Sequence, residues 1–225
     1  MHPSSPQKPI LVAYDGSRSA RTAASWAATE AALSRRPLRL VHVLRWPLPE
    51  LDGLNLPAAL RDGDRAREAA AQLVSTGIEQ IRRSMPGVDV GGDVLTGSAV
   101  DLLAGSAEGA SLLVLGASGQ TASRRVLLGS SAAELTRRVT TPVAVIRNLD
   151  PAETPRDVVI GIDGSAVGRR VIDVGFRYAA RRGKRVVAVH AWCDLPLAAL
   201  GDGADPDAAR REARAVLAEQ LADAR

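Results

Sequence analysis

Cysteine and aromatic side chains are scarce in this chain of 225 residues. Cys193 is the one cysteine, so an intrachain disulfide is excluded and a reducing compartment is expected. Aromatic residues make up only 3% of the chain, which predicts a core of alanine, valine, leucine and isoleucine. No Cys/His spacing of the kind that binds zinc is present. These absences predict a protein stabilised by aliphatic packing, without disulfides or structural metal.

Long apolar runs are also missing. No stretch approaches the roughly 20 apolar residues that a membrane-spanning helix needs. The opening MHPSSPQKP lacks the apolar region of a signal peptide. We therefore expect a cytoplasmic protein with no membrane partner.

Lysine is nearly absent, since Lys8 and Lys184 are the only two and arginine supplies the remaining positive charge. The net charge of +4 is compatible with an acidic partner. However, arginine pairs such as Arg137-Arg138 fall at expected helix ends, where cations complement the helix dipole. The pattern therefore indicates solvated helix ends rather than a nucleic-acid interface.

Short apolar strands alternate with helical patterns along the first two thirds of the chain. The predicted strands are 9–14, 38–44, 88–95, 112–115 and 142–146, and the predicted helices are 20–36, 64–83, 99–108 and one that follows Ser130. This alternation predicts an α/β fold, in which helices cover both faces of a parallel sheet.

A glycine-containing loop follows the fourth predicted strand. The strand ends at Gly116, and further glycines stand at Gly119 and Gly129 before Ser130 and Ser131, with Ser130 as the predicted helix N-cap. Glycine permits a sharp turn and close approach of a ligand to the backbone. Because first-turn N–H groups and the helix dipole attract anions, the loop predicts a phosphate site. An ordinary strand–loop–helix connection is the alternative.

The spacing G-x2-G-x9-G-[ST] between a buried strand and a helix resembles the nucleotide loop of the universal stress protein family. The resemblance extends through the following helix to Pro142, which leads into VAVI. It implies an open, twisted, five-stranded parallel sheet of order 3-2-1-4-5, with a switch point between the first and fourth strands. In ATP-binding members this loop holds the phosphates, so the resemblance implies ATP, alone or with Mg²⁺, as the cofactor.

The resemblance also implies where the nucleotide lies. Asp15 would accept a hydrogen bond from a ribose hydroxyl or face a phosphate-bound metal, with an Asx turn or a helix cap as the structural alternative. Ala13 and Val43 match positions that line the adenine site, although strand core explains them equally well. Ser131 stands where an apolar residue is frequent in the family, which predicts weaker packing against the nucleotide. The predicted nucleotide-binding residues are Ala13, Tyr14, Asp15, Val43, Gly116, Ala117, Ser118, Gly119, Arg125, Gly129, Ser130 and Ser131.

The beginning of the chain recurs near its end. PILVAYDGS is echoed by DVVIGIDGS, which places Asp163 at Asp15 plus 148, and the same offset takes His42 to His190. We expect a complete domain at 1–148, a linker at 149–155 and an incomplete second domain (β-α-β-α) at 156–225. Because the second copy has two strands and no glycine loop, we expect it to be less stable than the first and its Asp163 not to bind nucleotide.

Catalysis has little support in the sequence. The P-loop signature, the G-x-G-x-x-G fingerprint and a nucleophile–base pair are all absent, and the recurrence of His42 as His190 favours a structural role. The favoured function is therefore ATP binding used for regulation or signalling in stress response, with slow ATPase activity left open. The alternative is a dimerising scaffold that binds no nucleotide. In the family the edge strand Val143–Ile146 often forms the dimer, so a homodimer is the expected partner.

Overall fold

The computed structural model describes residues 7–45, 63–117, 129–147, 157–165, 168–191 and 206–222. The chain divides into two compact units, Met1–Pro151 and Ala152–Arg225. The described strands of the first unit are β1 Ile10–Ala13, β2 Leu38–Leu44, β3 Val90–Thr96, β4 Leu112–Gly116 and β5 Val143–Ile146, and its described helices are α1 Arg18–Ser34, α2 Gly63–Ser84, α3 Ala99–Glu108 and α4 Ser130–Arg138.

The five strands form one parallel sheet of order β3-β2-β1-β4-β5, as the family resemblance implied. β1 lies at the centre, where Ile10 pairs with Leu38 on one side and with Leu112 on the other. α1 begins at Arg18, earlier than predicted, because Ser17 caps it: the Ser17 Oγ accepts a hydrogen bond from the Ala20 N–H at 3.1 Å.

Successive residues of β1 enter different hydrophobic clusters on the two faces of the sheet, as the two-residue period of a strand requires. Val12 packs into the cluster that includes the alanines of α1 and Val74 of α2. Leu11 packs into the cluster that includes Leu103 of α3 and Leu135 of α4. The sheet is therefore covered on both sides, as the apolar strands predicted.

Small residues bring α1 close to the sheet. Ala23 and Ala27 of α1 are fully buried. A side chain at Gly116 would place its Cβ 2.5 Å from the Ser19 Oγ of α1. Gly116 is therefore required by helix–sheet packing, whatever else the glycine loop does.

The second unit repeats the start of the first. Its described elements are β6 Val158–Gly161, α5 Gly168–Ala180, β7 Val186–Val189 and α6 Pro206–Ala222. β6 and β7 are parallel, and Val158 pairs with Val186 just as Ile10 pairs with Leu38, 148 residues earlier. The predicted linker 149–155 lies outside the described residues. None of the described helices combines the length and apolar composition needed to cross a membrane.

Candidate functional site

A cavity of about 470 Å³ opens at the carboxyl ends of β1, β2 and β4. This is the switch point of the sheet, where open α/β folds bind ligands, and the volume is typical of small-molecule sites. Its wall residues are Ala13, Tyr14, Asp15, Ser17, Ala20, Val41, His42, Val43, Ala99, Leu103, Leu115, Gly116, Gly129, Ser130, Ser131, Ala132 and Leu135.

The cavity brings together most of the residues that the sequence predicted for the nucleotide. Those in its wall are Ala13, Tyr14, Asp15, Val43, Gly116, Gly129, Ser130 and Ser131. Ala117 does not line it, but its carbonyl accepts a hydrogen bond from the Gly129 N–H at 2.8 Å and so joins the two ends of the loop. Ser118, Gly119 and Arg125 lie outside the described residues.

A tight turn places Asp15 at the end of β1. The Asp15 Oδ1 accepts a hydrogen bond from the Ser17 N–H at 2.9 Å, and Gly16 between them has a φ of 73°. This is the Asx turn that was the structural alternative for Asp15. Because Asp15 also lies in the cavity wall, the turn positions the carboxylate at the site.

The end of β2 presents a backbone peptide to the cavity. The carbonyls of Pro37 and Val41 accept hydrogen bonds from β1 residues, whereas Leu38 and Leu44 bond towards β3. Odd-numbered residues of β2 therefore turn their peptide groups towards β1. Val43 follows this alternation, but its N–H makes no hydrogen bond to the Tyr14 carbonyl, the next acceptor along that edge, and Val43 lines the cavity.

His42 occupies the position next to this peptide. Its Nδ1 lies 2.8 Å from the Tyr14 carbonyl oxygen, and because a carbonyl only accepts, Nδ1 carries the hydrogen. The second unit repeats the bond between His190 and the Ile162 carbonyl, at 2.6 Å. Both histidines thus make the same hydrogen bond at a strand end, in agreement with the structural role that the sequence repeat favoured.

The first turn of α4 forms the opposite wall. The prediction of Ser130 as the N-cap is wrong: Gly129 has the extended backbone of the cap, and its carbonyl accepts the first helical bond, from the Ala133 N–H at 2.9 Å. Ser130, Ser131 and Ala132 thus occupy the first turn, where N–H groups have no partner within the helix. All three line the cavity.

An ion pair fixes the far end of α4. Arg138 lies 2.6 Å from the Asp101 carboxylate of α3. Hydrogen bonds from Ser98 and Arg138, together with the charge of Arg138, lower the pKa of Asp101 below its ordinary value. The pair therefore ties together the two helices whose Leu103 and Leu135 form the apolar part of the wall.

The side chain of Tyr14 is a neutral phenol that packs on the α2 side of the sheet. Burial raises the pKa of its hydroxyl above the ordinary value, and Asp15 adds to this effect, while Arg21 opposes it. The ring packs against α2, where a Cβ at Gly77 would approach it within 2.9 Å.

The wall residues that the sequence did not predict are Ser17, Ala20, Val41, His42, Ala99, Leu103, Leu115, Ala132 and Leu135. The helical pattern indicates that Leu103 and Leu135 lie on the apolar faces of their helices. It does not indicate which face of the sheet α3 and α4 cover, because tertiary packing sets that. Within the described ranges there is also no cluster of three or more His, Cys, Asp or Glu residues that could hold a metal ion.

An open parallel sheet with a cleft at its switch point defines the class of this protein, and comparisons give the family. The model of the universal stress protein family matches residues 7–147. The chain is 36% identical over 229 residues to the universal stress protein Rv2005c of Mycobacterium tuberculosis, covering 96% of this chain and 74% of the relative. It is 33% identical over 227 residues to Rv2623 of the same species, covering 95% of this chain and 73% of the relative.

A solved structure agrees with this assignment at the level of the fold. The crystal structure of a universal stress protein from Archaeoglobus fulgidus has a TM-score of 0.68 and 16% identity, covering 95% of this chain and 75% of that chain. The chain belongs to the universal stress protein family, as its glycine loop indicated.

Proposed function

We propose that the first unit binds ATP in the cavity at the switch point, and that occupancy regulates the protein's interactions in a stress response. One observation carries the proposal: the first turn of α4 lines the same cavity as Val43, whose N–H makes no bond to the Tyr14 carbonyl. The first provides hydrogen-bond donors to phosphate, and the second provides a donor and an acceptor to a base.

The phosphate half of the site consists of backbone groups. The N–H groups of Ser130, Ser131 and Ala132 make no hydrogen bond to another described residue. The dipole of α4 adds the equivalent of about half a positive charge at this end. The Ser130 and Ser131 hydroxyls, both on exposed residues, supply further donors. Arg125, which the sequence predicts for this site, lies outside the described residues.

The base and ribose half lies at the ends of β1 and β2. The Val43 N–H and C=O point the same way, which matches the neighbouring acceptor and donor on the edge of adenine. Ala13, Val43 and Leu103 give that part of the cavity an apolar surface suited to a flat ring. The Asp15 carboxylate is placed to accept a hydrogen bond from a ribose hydroxyl or to face Mg²⁺.

The described wall residues alone give no reason to propose efficient turnover. An efficient NTPase needs groups that neutralise transition-state charge and position water. The described cavity wall includes no lysine or arginine. Slow ATP hydrolysis can be measured as ADP release. If a variant that loses ATP binding also loses ADP release, the hydrolysis takes place in this cavity.

A homodimer is the partner arrangement that the edge strand favours. In the described sheet β5 pairs only with β4, so its outer edge presents unpaired backbone groups. Pairing of two copies through Val143–Ile146 would satisfy them. Sedimentation velocity tests this: a monomer at micromolar concentration, with or without ATP, would rule the dimer out.

Calorimetric titration with Mg-ATP tests the nucleotide site, with Gly129→Val as the variant. Gly129 has a φ of −63° and a ψ of 152°, which valine adopts without strain, so the variant should fold. Its branched side chain stands in the cavity wall, and we expect one ATP site in the wild type and none in the variant. Gly105→Ala is the control, because a Cβ at Gly105 meets nothing within 4 Å.

The possible results separate the two candidate functions. If Gly129→Val binds ATP as the wild type does, the cavity is not the nucleotide site. If the wild type binds no ATP but is a dimer, the scaffold function takes its place.

A further inference from the structure

We propose that His42 is a positioning residue for the base, because it keeps the Val43 peptide available to the nucleotide. This inference rests on the proposed function, since it concerns how the same cavity recognises its ligand.

The pairing between the two strands is regular up to Tyr14. The registered pairs run from Ile10–Leu38 to Ala13–Val41, and the Tyr14 N–H donates to the Val41 carbonyl at 2.8 Å. The next bond of a parallel ladder would run from the Val43 N–H to the Tyr14 carbonyl. That bond is absent, although both residues are described.

The imidazole of His42 takes the place of the missing bond. Its Nδ1–H donates to the Tyr14 carbonyl at 2.8 Å, so this part-buried carbonyl is satisfied without Val43. Leaving a part-buried carbonyl without a hydrogen-bond partner is unfavourable, so a nearby donor tends to take the place of one that is lost. With His42 removed, the available donor is the Val43 N–H.

His42 thus decides whether the ladder ends at Tyr14 or extends by one bond. In the wild type the ladder ends, and the Val43 N–H faces the cavity. Without the imidazole, β2 can pair with the Tyr14 carbonyl, and the donor that would bind the base is used within the sheet. The phosphate half of the site, on α4, is not affected by this change of hydrogen-bond partner.

His42→Leu tests the inference by calorimetry with two ligands. We expect ATP to bind about three- to tenfold more weakly, which corresponds to about one net hydrogen bond. Inorganic tripolyphosphate, which has no base, should bind within twofold of the wild type. His42→Asn should restore ATP binding, because its amide N–H₂ donates from nearly the same position as Nδ1.

The repeat provides a matched control. His190→Leu removes the same hydrogen bond from the second unit, where the acceptor is the Ile162 carbonyl. It should leave ATP affinity unchanged. Equal weakening of ATP and tripolyphosphate by His42→Leu would overturn the inference, since that result indicates general damage to the cavity. Unchanged ATP affinity would overturn it as well.

Amide exchange of Val43 tests the same step without nucleotide. In the ligand-free wild type this N–H should exchange fast for a strand residue, and in His42→Leu about tenfold more slowly, because it gains the Tyr14 carbonyl. Equal exchange in the two proteins would refute the inference even if the wild type binds ATP. A third result is that the Val43 N–H exchanges slowly only in the variant while the wild type binds no ATP. It would support the change of hydrogen-bond partner at Tyr14 and refute the proposed function.

Discussion

Leu11 and Val159 occupy the same place in the two copies of the repeat, yet one is buried and the other is not. Leu11 in β1 is 5% exposed, and Val159 in β6 is 66% exposed. Leu11 belongs to the cluster that includes Leu103 of α3 and Leu135 of α4. The described second unit has no counterpart of these helices, so truncating the two side chains to alanine should have very different consequences.

The expected magnitudes follow from burial. Leu11→Ala removes a buried side chain and leaves a cavity, which costs about 2–5 kcal/mol. Val159 is only about one third buried, so Val159→Ala loses about a third of the ~1.5 kcal/mol that full burial of valine contributes, or ~0.5 kcal/mol. Since about 1.4 kcal/mol corresponds to a factor of ten, we expect amide hydrogen exchange to be about 30-fold faster or more in the first unit with Leu11→Ala. With Val159→Ala we expect it to be about twofold faster in the second unit.

Hydrogen exchange read peptide by peptide is the suitable assay, because two units need not unfold together and a single midpoint is then undefined. Peptides over β1 and β2 report on Leu11→Ala, and peptides over β6 and β7 report on Val159→Ala. If Val159→Ala accelerated exchange as strongly as Leu11→Ala, the face of β6 would have to be covered, and the reasoning would be refuted. Wild-type exchange that is equally slow in both units would contradict the expected lower stability of the second.

Two further predictions concern the first unit. Gly92→Ala should destabilise it by about 1–3 kcal/mol in urea unfolding, because the new Cβ would lie 2.7 Å from the Leu40 backbone oxygen. Gly105→Ala is the control and should be neutral or stabilising by up to about 1 kcal/mol, because its Cβ would meet nothing within 4 Å. Equal effects of the two substitutions would contradict the role of close packing at Gly92. Asp101 has a lowered pKa in the folded state, so its carboxylate stabilises the fold above the unfolded-state pKa near 4, and this contribution is lost as the pH falls through the lower folded-state value. The difference in urea midpoint between wild type and Asp101→Asn should therefore shrink from pH 7 to pH 3, and a constant difference would count against the Ser98 and Arg138 contacts.

Much of the fold was predictable because its signals are local. The predicted helix 99–108 has the bounds of α3, and the apolar run 38–44 has those of β2. The order of the strands came from the family resemblance, since the alternation of elements alone implies only a parallel sheet. The bounds of α1 were missed because they depend on which residue the Ser17 side chain caps.

The site was predictable in its residue types but not in its chemistry. The glycine spacing located Gly129 and the serines after it, which line the cavity. The strand pattern gave no sign that the Val43 peptide, as well as its side chain, would be available at the cavity. That feature depends on the register between β1 and β2, and on β1 stopping first. A hydrogen bond such as that of His42 spans 28 residues and has no signature in either strand.

Comparison of the two copies shows which features of a nucleotide site form locally and which need the whole domain. Asp163 accepts a hydrogen bond from the Ser165 N–H at 2.9 Å, and Gly164 has a φ of 80°, so the turn at Asp15 recurs in the second unit. A short sequence is therefore sufficient for the turn, and a pair of parallel strands is sufficient for the histidine bond. A phosphate site also needs a helix N-terminus delivered to the same edge by β4 and the chain that follows it, and the described part of the second unit contains no such helix. The repeated Asp-Gly-Ser segment is thus not sufficient for a phosphate site, which is why the proposed nucleotide site lies in the first unit.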